Sequence, residues 1–345
     1  MEINFKNKDF SKISIKFLEK ISSIIGAVFL LIIFYGCFEI YMPLNPWSQE
    51  TAIFTVQKGW SDEDVAIKLK EAGIIKSSYF FKLYSVLSFK HSKLQAGDYE
   101  LSPKMSIHKI TNTITRGLTK KNKIVILEGW TMKDIGKYLE SKNVCSQDYF
   151  ASLTKKNYYE RFSFLEDKPE NVNLEGYLFP DTYELDKDAT CEDVLEDMLG
   201  NFEAKLREEL KEEIKKQKKS IFDIVTMASI IEKEAYGLAD KKVVSGIFWK
   251  RIAIDMPLQS CATVNYITGK SDPGVSTADT KIDSPYNTYK YPGLPKGPIS
   301  SPGLDSILAA IYPTKTNYLY FLADGKMIFS ETLEQHNEAK AKYLK

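Results

Sequence analysis

Two glutamates sit in near copies of one short pattern: Glu128 in LEGW at 127–130, and Glu175 in LEGYLFPDTYEL at 174–185. A carboxyl set against apolar rings is partly desolvated, which raises its pKa towards neutrality. A carboxyl still protonated at neutral pH is what general-acid catalysis requires. If 174–179 is extended, alternation puts Glu175, Tyr177 and Phe179 on one face and Leu174, Gly176 and Leu178 on the other. Gly176 then leaves room for a bulky substrate, and Pro180-Asp181 stops the strand and turns the chain. The same pattern also describes a half-exposed strand glutamate beside core aromatics. The residues alone leave both readings open.

Few other groups compete for the chemistry. The histidines His91, His108 and His336 are too few and too scattered for a metal cluster. Cys37 falls in an apolar run, and Cys145, Cys191 and Cys261 show no C-x-x-C spacing, so no disulfide framework is expected. Neither a G-x-S-x-G elbow nor a P-loop occurs. No cofactor or metal is implied, and the chemistry must come from carboxylates and hydroxyls. Glu232, in IFDIVTMASIIEKEAY, falls in line with Ile221, Val225, Ala228 and Ala235 at helical spacing. An unpaired carboxylate on that apolar stripe is costly, so it is either paired or faces a polar cleft. Gln259 lies in PLQSCATVNYITG, and Tyr286 and Asn287 in SPYNTYKYPGLPKGPISSPG, beside Ser284, Thr288 and Tyr289. Amides, hydroxyls and rings on one long loop suit a sugar chain, and loops of that length in a compact domain usually carry a site. A structured surface loop is the alternative.

The elements that would hold these groups include an internal duplication. GWSDEDVAIKLKEAGIIKSSYFFKL from Gly59 matches GWTMKDIGKYLESKNVCSQDYFASL from Gly129 at an offset of about 70 residues. Trp60 pairs with Trp130, Asp64 with Asp134, Leu69 with Leu139, and Tyr79-Phe80 with Tyr149-Phe150. Each copy follows a β-like run, AIFTV or KIVIL, and Ser61 and Thr131 stand where helix N-caps belong. A second echo relates AGDYELSPKMSIHKITNTITRG to DTYELDKDATCEDVLEDML. Glu128 has Lys58 as its counterpart, which marks it as an exposed strand end. Residues 201–220 are charged nearly all round and read as a solvated helix.

Composition narrows the class. A net charge of +1 gives no clustered basic face for nucleic acid. Residues 21–38, ISSIIGAVFLLIIFYGCF, are long and apolar enough to span a bilayer. Lys6, Lys8, Lys12, Lys16 and Lys20 precede the run, and no base follows directly. That asymmetry places 1–20 in the cytoplasm, an anchor at 21–42, and the rest outside. Tyr35, Tyr41 and Trp47 are candidates for the membrane interface. A cleavable signal peptide is the alternative, although no small-x-small site follows.

The ordered set LEGYLFPDTYEL, ASIIEKEA, LQSCATVNY, SPYNTYKYPGLPKGPISSPG and YLYFLADG resembles the MltG (YceG-like) family of endolytic murein transglycosylases. The resemblance runs from about residue 50 to the end, together with the anchor. It implies a single-pass enzyme of the inner or plasma membrane, with an α+β catalytic part at 119–345 that is periplasmic or extracellular. It also implies a LysM-like α/β portion at 50–118, and the strand-helix unit repeated inside the catalytic part. The reaction implied is cleavage of nascent peptidoglycan strands to 1,6-anhydro ends, terminating glycan elongation, with Glu175 as the catalytic residue. Peptidoglycan synthases are candidate partners. Tyr177, Phe179, Asp181, Glu232, Gln259, Tyr286 and Asn287 are expected to support the site. Where the family carries L-Q-[ST]-D-P-T-V, this chain has Cys261-Ala262 after Gln259-Ser260, so this loop supplies no acid. A hydrolytic muramidase using Asp181 or Glu232 as second acid, and a non-catalytic glycan-binding anchor for synthases, remain as alternatives.

Overall fold

The computed structural model describes residues 10–186, 189–270, 274–324 and 326–343, with side chains described from Lys20 onward. The expectation placed on Lys6 and Lys8 lies outside the described residues. The chain divides into two compact units, residues 1–122 and 123–345.

The first unit opens with α1 (Phe10–Tyr41). Within it Lys20–Tyr41 is long and apolar enough to cross a membrane, and its side chains are exposed except near the end, where Glu39 and Ile40 are buried. Then come β1 (Ala52–Val56), α2 (Asp62–Glu71), α3 (Ser78–Leu87), β2 (Gly97–Leu101) and α4 (Ile107–Thr115). Strands β1 and β2 pair antiparallel, with Ala52 opposite Leu101 and Val56 opposite Gly97. Phe54, Val56, Tyr99 and Leu101 pack from this ribbon against Val65, Leu69, Phe81, Ile110 and Ile114 of the helices. Lys58 and Gly59 make the turn into α2, where Gly59 has φ +91°. Ser61 caps α2 in a capping box with Asp64.

The second unit repeats this plan before extending it. β3 (Asn122–Val125), α5 (Met132–Ser141), α6 (Gln147–Leu153), β4 (Thr182–Leu185) and α7 (Cys191–Lys205) follow the order of β1 to α4, and β3 pairs with β4. The equivalences reach to backbone detail: Gly129 has φ +76° where Gly59 has +91°, and Thr131 and Asp134 form the same capping box. The copies differ between second helix and second strand. The first crosses that gap with residues 88–96, whereas the second inserts residues 154–181, a longer excursion that includes Glu175.

Two expectations need correction here. Cys145 and Cys191 form a disulfide that joins the α5–α6 turn to the first residue of α7 and encloses the inserted segment. The spacing concealed it, because the partners are brought together by the fold of the repeat. Residues 201–220 are not one solvated helix either. α7 ends at Lys205 and α8 (Glu208–Lys216) begins after a break at Leu206, and Phe202, Leu206 and Ile214 are buried. Four-residue spacing of these apolar side chains was masked by the lysines and glutamates between them.

A helical core completes the unit. α9 (Ile221–Glu234) is buried nearly all round from Ile224 to Ile231, and packs against α10 (Leu238–Ala253) and α12 (Leu304–Ile311). α11 (Cys261–Thr268) also lies against α9. A hairpin of β5 (Tyr320–Ala323) and β6 (Met327–Ser330), then α13 (Leu333–Tyr343), ends the unit, and His336 stacks on Tyr320. The mixed helix and strand content agrees with the α+β expectation.

Candidate active site

Glu175 does not lie on a strand. Residues 174–177 form a tight turn in which the Tyr177 N–H donates to the Leu174 carbonyl over 3.1 Å, and Gly176 has φ +86°. That is the geometry of a type II turn, whose third position demands glycine. Space demands it too, since a Cβ on Gly176 would come within 2.5 Å of Pro298 and 2.9 Å of Val225. Gly176 therefore seats the turn against α9 and the 298 loop, rather than clearing room for substrate. The alternation argument fails with the strand. Tyr177 is a core residue, its ring near Phe164 and Phe202, and Phe179 packs near Phe202 under the Lys205 ammonium.

The turn leaves the Glu175 carboxyl buried, with only 2% of the residue exposed. The Met132 N–H lies 3.0 Å from Oε1 and 3.2 Å from Oε2, and the Tyr266 hydroxyl donates to Oε2 at 3.3 Å. Met132 is the first residue of α5, one of the N–H groups a helix leaves without an internal partner. The duplicated Gly-Trp-Thr turn thus delivers a helix N-terminus to the acid. Burial pushes the Glu175 carboxyl up to about 8, against the opposing effect of the Met132 and Tyr266 hydrogen bonds; the Asp134 charge adds to the rise. The ring at the carboxyl is Tyr266, and Tyr286 packs against it with centroids 5.1 Å apart. Burial and the nearby Glu175 charge raise the Tyr286 phenol.

Two acids at the end of α9 hold the partners of Glu175 in place. Glu232 accepts both oxygens' worth of Lys241 ammonium at 3.1 Å, the Gly303 N–H at 2.9 Å and the Ser306 hydroxyl at 2.7 Å. It is paired and buried, the structural branch of the sequence reading. Its contacts fasten the 298–303 loop, along with Ser229, whose hydroxyl accepts from Ile299 N and whose carbonyl accepts from the Ser300 hydroxyl, both at 3.0 Å. That loop in turn brackets the Gly-Trp turn: Gly129 N–H donates to Ser301 O at 2.8 Å and Ser301 N–H to Trp130 O at 2.7 Å. Glu234 serves the other arm, accepting from the Ser260 hydroxyl and the Ala262 N–H at the start of α11, the helix that carries Tyr266.

The other expected residues fall elsewhere. Asp181 is exposed and accepts from Asn201 at 3.0 Å with Lys205 at 3.7 Å, and the Asn201 bond holds its carboxyl low. Asn287 is fully buried, donating to Thr280 O and Ile282 O and accepting from the Tyr289 N–H, so its amide is spent on the loop's own fold. Gln259 is exposed on left-handed backbone, φ +50°, between buried Leu258 and Ser260, with its N–H on Thr288 O. Glu128 is exposed just past β3, as expected, but its carboxylate also fills the space beside Gly303, where a Cβ would overlap it, and partial burial together with the Glu232 charge raises its pKa. Met132 and Tyr266 escaped the sequence reading. The Thr131-Asp134 cap was legible and located the free helix N–H groups, but nothing local tied them to Glu175. Among the described residues, no three His, Cys, Asp or Glu side chains converge as a metal ligand set would require.

The site therefore defines an acid–base centre built on one carboxyl. Burial favours the neutral acid, while a helix N–H and a phenol await its anion. This chain belongs to the YceG-like family, whose model matches residues 54–342. It is 36% identical over 336 residues to the endolytic murein transglycosylase of Bacillus subtilis (strain 168), covering 93% of this chain and 91% of that one. Identity to the protein of the same name from Streptococcus pneumoniae serotype 2 is 30%, over 88% of this chain and 60% of that one. The 2.6 Å crystal structure of a YceG-like protein from Listeria monocytogenes superposes with a TM-score of 0.59 at 35% identity, covering 84% of this chain and 99% of that one. The family and fold implied by the motifs are borne out.

Proposed function

We infer that this chain is an endolytic lytic transglycosylase that cuts the β-1,4 bond between N-acetylmuramic acid and N-acetylglucosamine in peptidoglycan strands, using Glu175 as acid and then as base. Family membership and the names of its relatives support the reaction class. The observation that carries the residue assignment is the buried Glu175 carboxyl, held between the Met132 N–H and the Tyr266 hydroxyl.

The neutral carboxyl donates its proton to the glycosidic oxygen as the C1–O bond breaks and the muramoyl ring gains oxocarbenium character. The carboxylate so formed is stabilised where it stands by the helix N–H and the phenol. It then takes the proton from the sugar's own C6 hydroxyl as that oxygen bonds to C1. A 1,6-anhydro end results, Glu175 is neutral again, and no water is consumed. Because the nucleophile belongs to the substrate, proximity supplies much of the rate. A hydrolytic route needs a second carboxylate or base. The commitments of Glu232 to Lys241, Gly303 and Ser306, and of Asp181 to Asn201, weigh against either serving as one.

The apolar Lys20–Tyr41 stretch supports a single-pass anchor; the lysines that precede it favour an inside N-terminus, and the enzyme would then lie beside strands as they are made. Residues 50–118 would add a LysM-like glycan contact, and synthases are the natural neighbours. Glu175→Gln should abolish release of fragments from purified sacculi while the protein stays folded, and Glu128→Gln should keep most activity. Equal loss in both variants overturns the assignment of Glu175.

A further inference from the structure

Helix α3 carries two apolar faces, and the core uses only one of them. Phe81, Tyr84 and Ser85 are buried within the first unit. On the opposite side Tyr79, Leu83, Val86 and Leu87 recur at three- and four-residue spacing and form one stripe with Phe80. Tyr79, Val86 and Leu87 are each more than half exposed, and Phe89 just beyond the helix is 83% exposed. The one charge on α3 is Lys82, off the stripe and paired with Glu63 at 2.9 Å. Lys90 and Lys93 follow the helix. A stripe of this kind on a soluble surface marks a docking face.

Its position relative to α1 says what covers it. Phe80 packs edge-on against Tyr35 of α1 with centroids 5.7 Å apart, and also touches Gly36. Lys76, just before α3, pairs with Glu39 of α1 at 2.5 Å. Tyr41 stacks on His108 of α4, and Ile40 is buried in the unit's core. The last two turns of the apolar stretch are thus also a wall of the folded unit. With a rise of about 1.5 Å per residue, Tyr35 lies roughly 9 Å below Tyr41 along the helix. Even with the hydrocarbon ending at the Glu39–Lys76 pair, Phe80 sits about one turn beneath its edge. A unit fixed there cannot hang free above the bilayer.

We propose that the α3 stripe, Tyr79, Phe80, Leu83, Val86 and Leu87, docks into the outer leaflet of the membrane that α1 crosses, seating the first unit on the lipid surface. The proposal rests on reading α1 as a membrane span. Tyr79 lies at the interface that tyrosine favours, Leu83 and Leu87 reach the acyl boundary as in interfacial helices, and the exposed Lys93 meets the phosphates, Lys90 being engaged by Asn112 and the Tyr84 ring. The partner is lipid, and a second copy of the chain is the competing occupant.

The test uses the full chain in phosphatidylglycerol-containing nanodiscs, in a Cys37→Ser, Cys261→Ser background that keeps the Cys145–Cys191 disulfide. Spin labels go on Tyr79→Cys and Leu87→Cys, with Leu31→Cys as the reference for the span. Expected at all three positions is greater accessibility to oxygen, which partitions into lipid, than to a water-soluble nickel chelate. An oxygen preference at 31 with nickel preference at 79 and 87 overturns the docking and leaves the span standing. Nickel preference at 31 overturns the span and the docking with it. Dipolar broadening between labels on two copies assigns the stripe to a dimer and overturns the lipid assignment.

Discussion

The Met132 N–H points at both oxygens of the Glu175 carboxyl, 3.0 Å from one and 3.2 Å from the other. This contact and the Tyr266 bond lower the pKa that burial raises, leaving it at about 8. An acid at that value is mostly protonated at neutral pH, yet its anion is not prohibitively costly, as a group that must be acid and then base requires. Tyr266→Phe removes one donor to the anion. Hydrogen bonds to charged groups are worth about 1.5–3 kcal/mol, or about one to two pKa units. The alkaline limb of kcat/KM should therefore move up by about one unit or more, with kcat reduced. A limb that stays in place, or moves down, contradicts the contact.

Stability should carry the signature of the same group. Glu175 titrates near 4.5 in an unfolded chain and at about 8 in the folded one, so between those values only the folded protein holds the proton. Folding loses stability as pH rises through that window, and the loss is complete above 8. Glu175→Gln cannot ionise and escapes it. Its melting temperature should exceed that of the parent by a margin that widens from pH 5 to pH 8, which scanning calorimetry at several pH values measures. A margin independent of pH contradicts a buried carboxyl.

The Glu232–Lys241 pair is buried on both sides, 8% and 6% exposed. Removing one partner strands the other charge, at a cost of about 3–5 kcal/mol. Glu232→Ala should lose that much in denaturant unfolding. Pairing it with Lys241→Met should recover most of the stability without recovering kcat, because Gly303 and Ser306 still lack their acceptor and the Gly-Trp turn its bracket. Full recovery of kcat in the double variant contradicts a positioning role for Glu232.

The disulfide between Cys145 and Cys191 spans 46 residues and encloses Glu175. Loop-closure entropy for that length gives about 4 kcal/mol. Cys145→Ser should lower the melting temperature accordingly and sharpen protease sensitivity in residues 154–181, while activity at low temperature persists. An unchanged melting temperature, in both Cys145→Ser and Cys191→Ser, contradicts the bond.

What the sequence yielded, and what it did not, follows the range of the interactions. The repeat, its caps at Ser61 and Thr131, and the apolar segment are local patterns, and all are present in the structure. The alternation that sets Glu175 beside Tyr177 and Phe179 fails, because those rings belong to the core; the choice of Glu175 rests on the ordered motifs of the family resemblance instead. A glycine at φ +86° converted an apparent strand into a turn, and that sign is invisible in a run of alternating apolar residues. The true neighbours, Met132 and Tyr266, are 43 and 91 residues away in sequence. Contacts of that separation are set by α9 and its two acids, Glu232 and Glu234, whose roles as brackets no spacing announced. Asn287 and Tyr286 show the same limit: adjacent in one polar loop, the Asn287 amide is sealed inside it while the Tyr286 ring packs against Tyr266, the partner of the carboxyl.

The central claim is that one carboxyl, Glu175, closes the sugar on itself. Digestion of purified glycan strands in H2(18)O, followed by mass spectrometry of the released ends, tests it most directly. The account predicts 1,6-anhydro ends, one water lighter than reducing ends and free of 18O, and no product from Glu175→Gln. Reducing ends carrying 18O would contradict it and assign the chain to hydrolysis.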